Sequence, residues 1–238
     1  MKQTPDFSTY WTDGRYDNDQ YSSGIQPYCM KQSHKLIEKK YTNEDYFDNV
    51  IEIGSGVGYH LPYINHKFGT YILSDGDAAV IEKIKTMNYP QNIQPKLFQG
   101  EHLDVSDNSF DRLIASHCLE HIHHPEKALE EWSRVVRGDR TEQNRTEQNR
   151  TGILSILLPC DPGLGWRLGR TIGGRKRATR TGLDEYDLFL ALEHCNPINV
   201  LISMIRYYFD DIEESWWPFP FPSIDLNLFY AVHIKNIK

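Results

Sequence analysis

Four cysteines in 238 residues, none within two places of another, offer no C-x-x-C pair for a zinc knuckle or a redox couple. Cys29, Cys118, Cys160 and Cys195 do not form the dense pattern of a disulfide-stapled fold either, and a chain of this length can bury a core without one. No apolar run approaches the roughly 20 residues that span a bilayer. The opening, MKQTPDFSTYWTDGRYDNDQ, is polar and aromatic and does not read as a signal peptide. A cytoplasmic setting with at most peripheral membrane contact is expected. A basic excess is missing as well: 26 Lys and Arg stand against 33 Asp and Glu, a formal net charge of −7, so no nucleic-acid partner is expected.

What is present is an ordinary globular composition, 39% hydrophobic and 25% charged, arranged as strands alternating with helices. NVIEI reads as a first strand, GTYILSD as a second, PKLFQG as a third, FDRLIASH as a fourth and GILSILLP as a fifth. Helical patterns fall at PYCMKQSHKLIEKKY, near GYHLPYINHKF, at AAVIEKIKTMN and at PEKALEEWSRVVR. That rhythm implies βαβ units and a mostly parallel sheet covered on both faces. After Pro159 it changes. The Gly- and Arg-rich CDPGLGWRLGRTIGGRKRATRTG lacks apolar periodicity and is expected to be a loop or lid. LDEYDLFLALEH and PINVLISMIRYYFD read as helices, and IEESWWPF and LNLFYAVHIK as two closing strands around a proline-rich loop. RTEQNRTEQNRTG repeats a polar pentad, and removing ten residues leaves a normal helix-to-strand connection, so 139–151 is read as an insertion.

The first strand runs into Glu52-x-Gly54-x-Gly56-x-Gly58. Glycines at the carboxyl end of a strand let a ligand approach the main chain. Their even spacing departs from the dinucleotide pattern G-x-G-x-x-G, and an acid just before them suits a ligand that carries positive charge. The motif resembles, in order and spacing, that of class I S-adenosylmethionine (SAM)-dependent methyltransferases. The block from Leu97 to Arg137 resembles the same family through Asp107-Asn108-Ser109-Phe110-Asp111 and His117-Cys118-Leu119-Glu120-His121. The resemblance covers about residues 47–160 and is similar to the type 11 branch, with a thinner likeness to enzymes of bacterial surface-polysaccharide or lipid pathways.

The resemblance implies a Rossmann-like sheet of seven strands, mostly parallel, with helices on both faces and a C-terminal β-hairpin. It implies a catalytic domain over 47–238, preceded by a leader and helix at 1–46 acting as a lid, with a basic substrate-recognition insertion at 161–183. SAM is the implied cofactor, held by Glu52, Gly54, Gly56, Gly58 and Asp75, with Gln99, Gly100 and Glu101 near the adenine and His117 lining the pocket at the end of the fourth strand. Asp75 would take both ribose hydroxyls, while Asp77 could equally cap the next helix. His117 is also the candidate base. His117 and His121 stand four apart, yet no Cys or carboxylate cluster completes a metal site, and no metal is expected. Arg167, Arg170, Arg175 and Arg177 are the candidate substrate-binding residues, because guanidinium forks suit an anionic acceptor.

The expected reaction is therefore methyl transfer to a small-molecule or glycan- or lipid-linked acceptor, at oxygen and on an anionic molecule. A lipid or quinone acceptor is the alternative, drawing on WWPFPFPS, and a catalytically silent binding partner is the alternative from another class. A homodimer contact through the same aromatic patch also fits the sequence.

Overall fold

The computed structural model describes residues 25–138, 151–180, 182–183 and 185–235. The aromatic leader (Tyr10, Trp11, Tyr16, Tyr21) and residues 139–150 of the 139–151 insertion lie outside the described residues, as does the Arg177 side chain.

A seven-stranded sheet organises the chain. In chain order the strands are β1 (Tyr46–Ile53), β2 (Lys67–Asp75), β3 (Ile93–Leu97), β4 (Arg112–Ser116), β5 (Ile153–Pro159), β6 (Ile212–Trp217) and β7 (Phe229–Ile234). Their order across the sheet is β3-β2-β1-β4-β5-β7-β6. The first five are parallel, and β7 runs antiparallel to both β5 and β6, which gives the expected closing hairpin. Between β1 and β4 the order of connections reverses. Loops leaving those two strands diverge and open a crevice at their carboxyl ends.

Alternation along β1 assigns its faces. Ile51 and Ile53 point into a core with Leu113, Leu154 and Ile156, covered by α3 (Pro125–Val135) and α7 (Ile198–Tyr208). The α3 residues Ala128, Leu129, Trp132 and Val135 form a helical stripe on that face, as a 3.6-residue period requires. Val50 points the other way, against Tyr71, Ile114 and Leu157, under α1 (Ile25–Glu38) and α2 (Ala78–Thr86). Glu52 shares the parity of Val50, so its carboxylate faces the α1 side, where Tyr71 Oη donates to it at 2.8 Å.

A buried ion pair ties α1 to the sheet. Both terminal nitrogens of Arg112 donate to Glu38, at 2.6 and 3.1 Å, with both side chains wholly buried. Arg112 also lies over the Tyr41 ring, 3.9 Å from its centroid. Burial raises the Glu38 carboxyl, but the Arg112 charge and the His60 hydrogen bond more than offset that and hold it well below the usual range.

Three expectations change. The helix expected near GYHLPYINHKF is a single 3₁₀ turn, Leu61–Tyr63, because Pro62 interrupts it and β2 starts at Lys67. Met30, Leu36 and Ile37 of α1 cover that face of the sheet instead. The basic stretch is not a loop: α4 (Leu164–Gly169), a π-type turn (Arg170–Gly174) and α5 (Arg175–Arg180) run through it. Leu164, Leu168 and Ile172 fall at i, i+4 and i+8, a helical spacing, but they face solvent and so bury no stripe. Finally, Tyr186–Tyr208 is long and apolar enough, by length and composition, to cross a membrane. Here it is split into α6 (Tyr186–Glu193) and α7, and α7 packs Ile198, Leu201, Ile202 and Ile205 into the core.

Candidate active site

A cavity of about 400 Å³ occupies the crevice, within the range of small-ligand pockets. Its floor is the turn after β1. Gly54, Gly56 and Gly58 all have positive φ, at 64°, 52° and 85°, a region that only glycine enters without strain. The structure divides their roles. A methyl group on Gly54 would lie 2.7 Å from Cys118 Sγ, and one on Gly58 would lie 2.9 Å from Tyr89 Oη. Protein atoms therefore take the space beside those two. At Gly56 the nearest atom would be 3.4 Å away, on the Tyr59 ring of the same turn.

Asp75, at the end of β2, stands opposite. Its Oδ2 accepts from Gly56 N–H and its Oδ1 from Asp77 N–H, both at 3.0 Å. The carboxylate is thus fixed in place while keeping lone pairs for a second acceptor role. Burial pushes its pKa upward. Asp77 caps α2 through Ala79 N–H at 2.8 Å, and it also lines the cavity. Glu52 also lines the cavity, and burial raises it to about 7 against the opposing pull of His60 and the Tyr71 hydroxyl. Val80, Cys118 and Ile122 supply an apolar stretch of the wall.

Gln99, Gly100 and Glu101 line neither this cavity nor the smaller one described below. Gln99 Nε2 donates to Gly76 O at the cavity's edge (3.2 Å), Gly100 O accepts from Trp132 Nε1 (2.8 Å), and Glu101 Oε1 accepts from His124 N–H (3.0 Å).

His117 follows β4 with φ of 54°, a left-handed conformation uncommon outside glycine. Its Nε2 lies 2.9 Å from Ser33 Oγ, whose single proton goes to Met30 O at 2.8 Å. The imidazole must therefore donate from Nε2, leaving Nδ1 bare, 3.8 Å from Glu120 Oε1. Burial first, then the neighbouring His121, His194 and His60, lowers His117 to about 3, so the ring is neutral at working pH.

A second, smaller cavity of about 70 Å³ adjoins the first, and His117, His121 and Glu193 line both. Its other walls include Met30, Glu120, Trp166, Tyr186 and Phe189. Of the four arginine candidates, Arg170 lines it and stands 3.6 Å from Asp161, which also accepts from His194 Nδ1 at 2.8 Å. Arg175 pairs with Asp187 at the surface, and Arg167 is exposed.

Several wall residues were not singled out from the sequence. His34 and His60 line the larger cavity, with Nδ1 atoms 3.0 Å apart, and His60 Nε2 reaches Glu38 at 3.0 Å. A signal existed: Ser33, His34 and Glu38 share the arc of α1 that carries Met30 and Ile37, and polar groups on an apolar face are informative. Trp166 and His194 lie 28 residues apart, and no local spacing could join them.

Residues suited to SAM are thus present: an anchored acid at the end of β2, a left-handed turn with its backbone bared at Gly56, and a buried acid beneath it. Residues 51–139 match the family model of a methyltransferase domain. Over 91 residues, 37% of this chain, it is 28% identical to phosphatidylethanolamine N-methyltransferase of Cereibacter sphaeroides. The chain spans 45% of the length of that curated relative. Among solved structures it resembles a methyltransferase in complex with the Haloferax volcanii Trm112 activator (TM-score 0.62, 12% identity, all of both chains). It also resembles plantazolicin methyltransferase BpumL with S-adenosylhomocysteine (SAH; 0.61, 14%, covering 96% of this chain and 93% of that one). N-methyltransferase NodS of Bradyrhizobium japonicum with SAH is similar too (0.54, 12%, 95% and 93%). At such identities these structures speak to the fold.

Proposed function

We infer, for a chain whose residues 51–139 match the family model of a methyltransferase domain, that it is a class I SAM-dependent methyltransferase whose larger cavity holds SAM and whose smaller one holds the acceptor. The observation that carries this is Asp75, fixed by Gly56 and Asp77 N–H groups across a left-handed glycine turn at the sheet's reversal point. Asp75 would bind the ribose hydroxyls, and Glu52 would lie toward the positively charged end. When bound, SAM supplies a methyl group already activated by its sulfonium. The protein's task is then alignment and exclusion of water. His117, shared by both cavities, lies where acceptor and methyl group would meet.

The acceptor is a small molecule or the end of a glycan- or lipid-linked one. The sequence-based expectation of an anionic, oxygen-methylated acceptor now rests on Arg170, the one candidate cation on the cavity wall among the described side chains. A lipid-linked acceptor is a second reading. It is favoured by the exposed ridge of Leu164, Leu168 and Ile172, which adjoins the stacked Phe219 and Phe221 loop through Leu164 N–H donating to Asp225. The name of the curated relative points the same way. We place the reaction in the cytoplasm, on the strength of four separate thiols.

Calorimetric titration with SAH and with NAD tests the cofactor assignment. SAH should bind and NAD should not, and Asp75→Ala should weaken SAH by about 1–3 kcal/mol, roughly 10- to 100-fold. Unchanged SAH affinity in that variant would refute the ribose role. Cosedimentation with phosphatidylglycerol vesicles tests the lipid reading: Leu168→Asp should release the protein, and equal binding would remove that reading.

A further inference from the structure

The smaller cavity contains two polar groups that the fold leaves unanswered. Glu120 is 3% exposed, and its Oε2 has no hydrogen-bond partner among the described residues. Its Oε1 stands 3.8 and 3.9 Å from His117 Nδ1 and His121 Nε2, and the carboxyl also turns toward its own backbone N–H. Trp166 Nε1, also enclosed, lacks a partner likewise. A buried acceptor and a buried donor each left unmade cost on the order of 1–3 kcal/mol, a cost a fold recovers when a ligand supplies the partners.

The surroundings determine what kind of ligand. His117 and His121 are neutral at working pH, both held near 3 chiefly by burial, so neither offsets a carboxylate. Arg170 is the one Arg or Lys on this wall among the described residues, with Asp161 beside it at 3.6 Å; His194, the other basic group there, is held by the same carboxylate at 2.8 Å. Glu120 and Glu193 both line the cavity, with Trp166, Tyr186 and Phe189 as aromatic walls. Carboxylates with aromatic faces favour a positively charged or hydrogen-donating nitrogen over an anion. The volume of about 70 Å³ suits a small head group.

We propose that this cavity recognises the acceptor as an amine, with Glu120 Oε2 taking its N–H and Trp166 Nε1 donating to a neighbouring oxygen of the same molecule. The inference rests on the assignment of the larger cavity to SAM and replaces an oxygen acceptor with nitrogen. In the reaction the neutral amine nitrogen forms a bond to the methyl carbon as the carbon–sulfur bond breaks. That bond pair stays on sulfur, and the proton displaced from nitrogen passes to the Glu120 carboxylate. Burial raises Glu120 to about 7, against the opposing charge of His194, which matches a group that must accept and then release that proton.

The test uses the full chain saturated with SAH and two probes of equal size, ethanolamine and ethylene glycol, followed by ligand-observed NMR. The amine should bind about tenfold more tightly than the glycol, as expected for a hydrogen bond to a charged group. Glu120→Gln should bring the two within about twofold, while Glu120→Asp retains part of the preference and SAH affinity stays the same in both. Equal binding of the probes to the native protein, or a preference that survives in Glu120→Gln, would overturn the proposal. Binding of SAH with no detectable amine binding would overturn it too, leaving the cofactor assignment standing. Failure of the native protein to bind SAH would instead overturn the proposed function, and this inference with it. Thermal melting of each variant separates a lost contact from a lost fold.

Discussion

Gly54 is where the turn is most tightly constrained, and replacing it by alanine should show how. Two costs add. An L-residue at φ of 64° is left-handed and costs about 1–2 kcal/mol. The added methyl would also lie 2.7 Å from Cys118 Sγ and 3.0 Å from Cys118 Cβ, an overlap of the kind that costs about 1–3 kcal/mol. The sum is roughly 2–5 kcal/mol, or a fall in Tm of about 5–15 °C for a domain of this size. Gly56→Ala is the control: its φ of 52° carries the same strain, but its nearest neighbour would sit at 3.4 Å, so about 1–2 kcal/mol is expected. Urea denaturation of both variants, with and without Cys118→Ala, separates the terms. Removing Sγ should recover about 1 kcal/mol in Gly54→Ala and nothing in Gly56→Ala. If Gly54→Ala costs no more than Gly56→Ala, or does not couple to Cys118, then β1 and the β4 loop do not pack as described, and the cavity floor is misdrawn.

Glu38→Gln leaves the Arg112 guanidinium buried without its anion and should cost about 3–5 kcal/mol in denaturant titration. Because the folded-state pKa of Glu38 is depressed, its contribution is present above the unfolded value of about 4.3 and lost as pH falls, so acidification should weaken the native protein more than the variant. Glu52 and Glu120 act oppositely. Both are raised to about 7, so between about pH 4.3 and 7 the folded state holds protons that the unfolded state has released, and stability declines as pH rises through that window. Glu120→Gln should flatten part of that slope. The same variant should abolish a rise in rate near pH 7, whereas His117, already neutral, should contribute no limb between pH 5 and 8. Arg175→Gln should change stability by about 0–1 kcal/mol and leave the acceptor KM alone, since its partner Asp187 is as exposed as it is. Arg170→Gln, on the cavity wall, should shift that KM.

Much of the fold could be read in one dimension because its signals are local. Short β-branched runs alternating with helical stripes specify a parallel sheet, and the Glu52–Gly58 motif falls at a strand end, where a ligand crevice opens. The segment GYHLPYINHKF gives only a turn because Pro62 interrupts it and β2 starts at Lys67, and α1, from far upstream, covers that face in its place. The basic stretch was misread because a solvent-facing helix has no buried stripe to betray its period.

The succession of strands and helices along the chain, the glycine turn and the acid at the end of β2 were thus set by sequence alone, each through a preference of neighbouring residues for one backbone shape. Which arginine reaches a cavity, which glycines the protein uses for its own packing, and that Glu120 and Trp166 converge beside His117 were decided by tertiary structure. Those groups come from segments tens of residues apart, and no local preference encodes a distance between them.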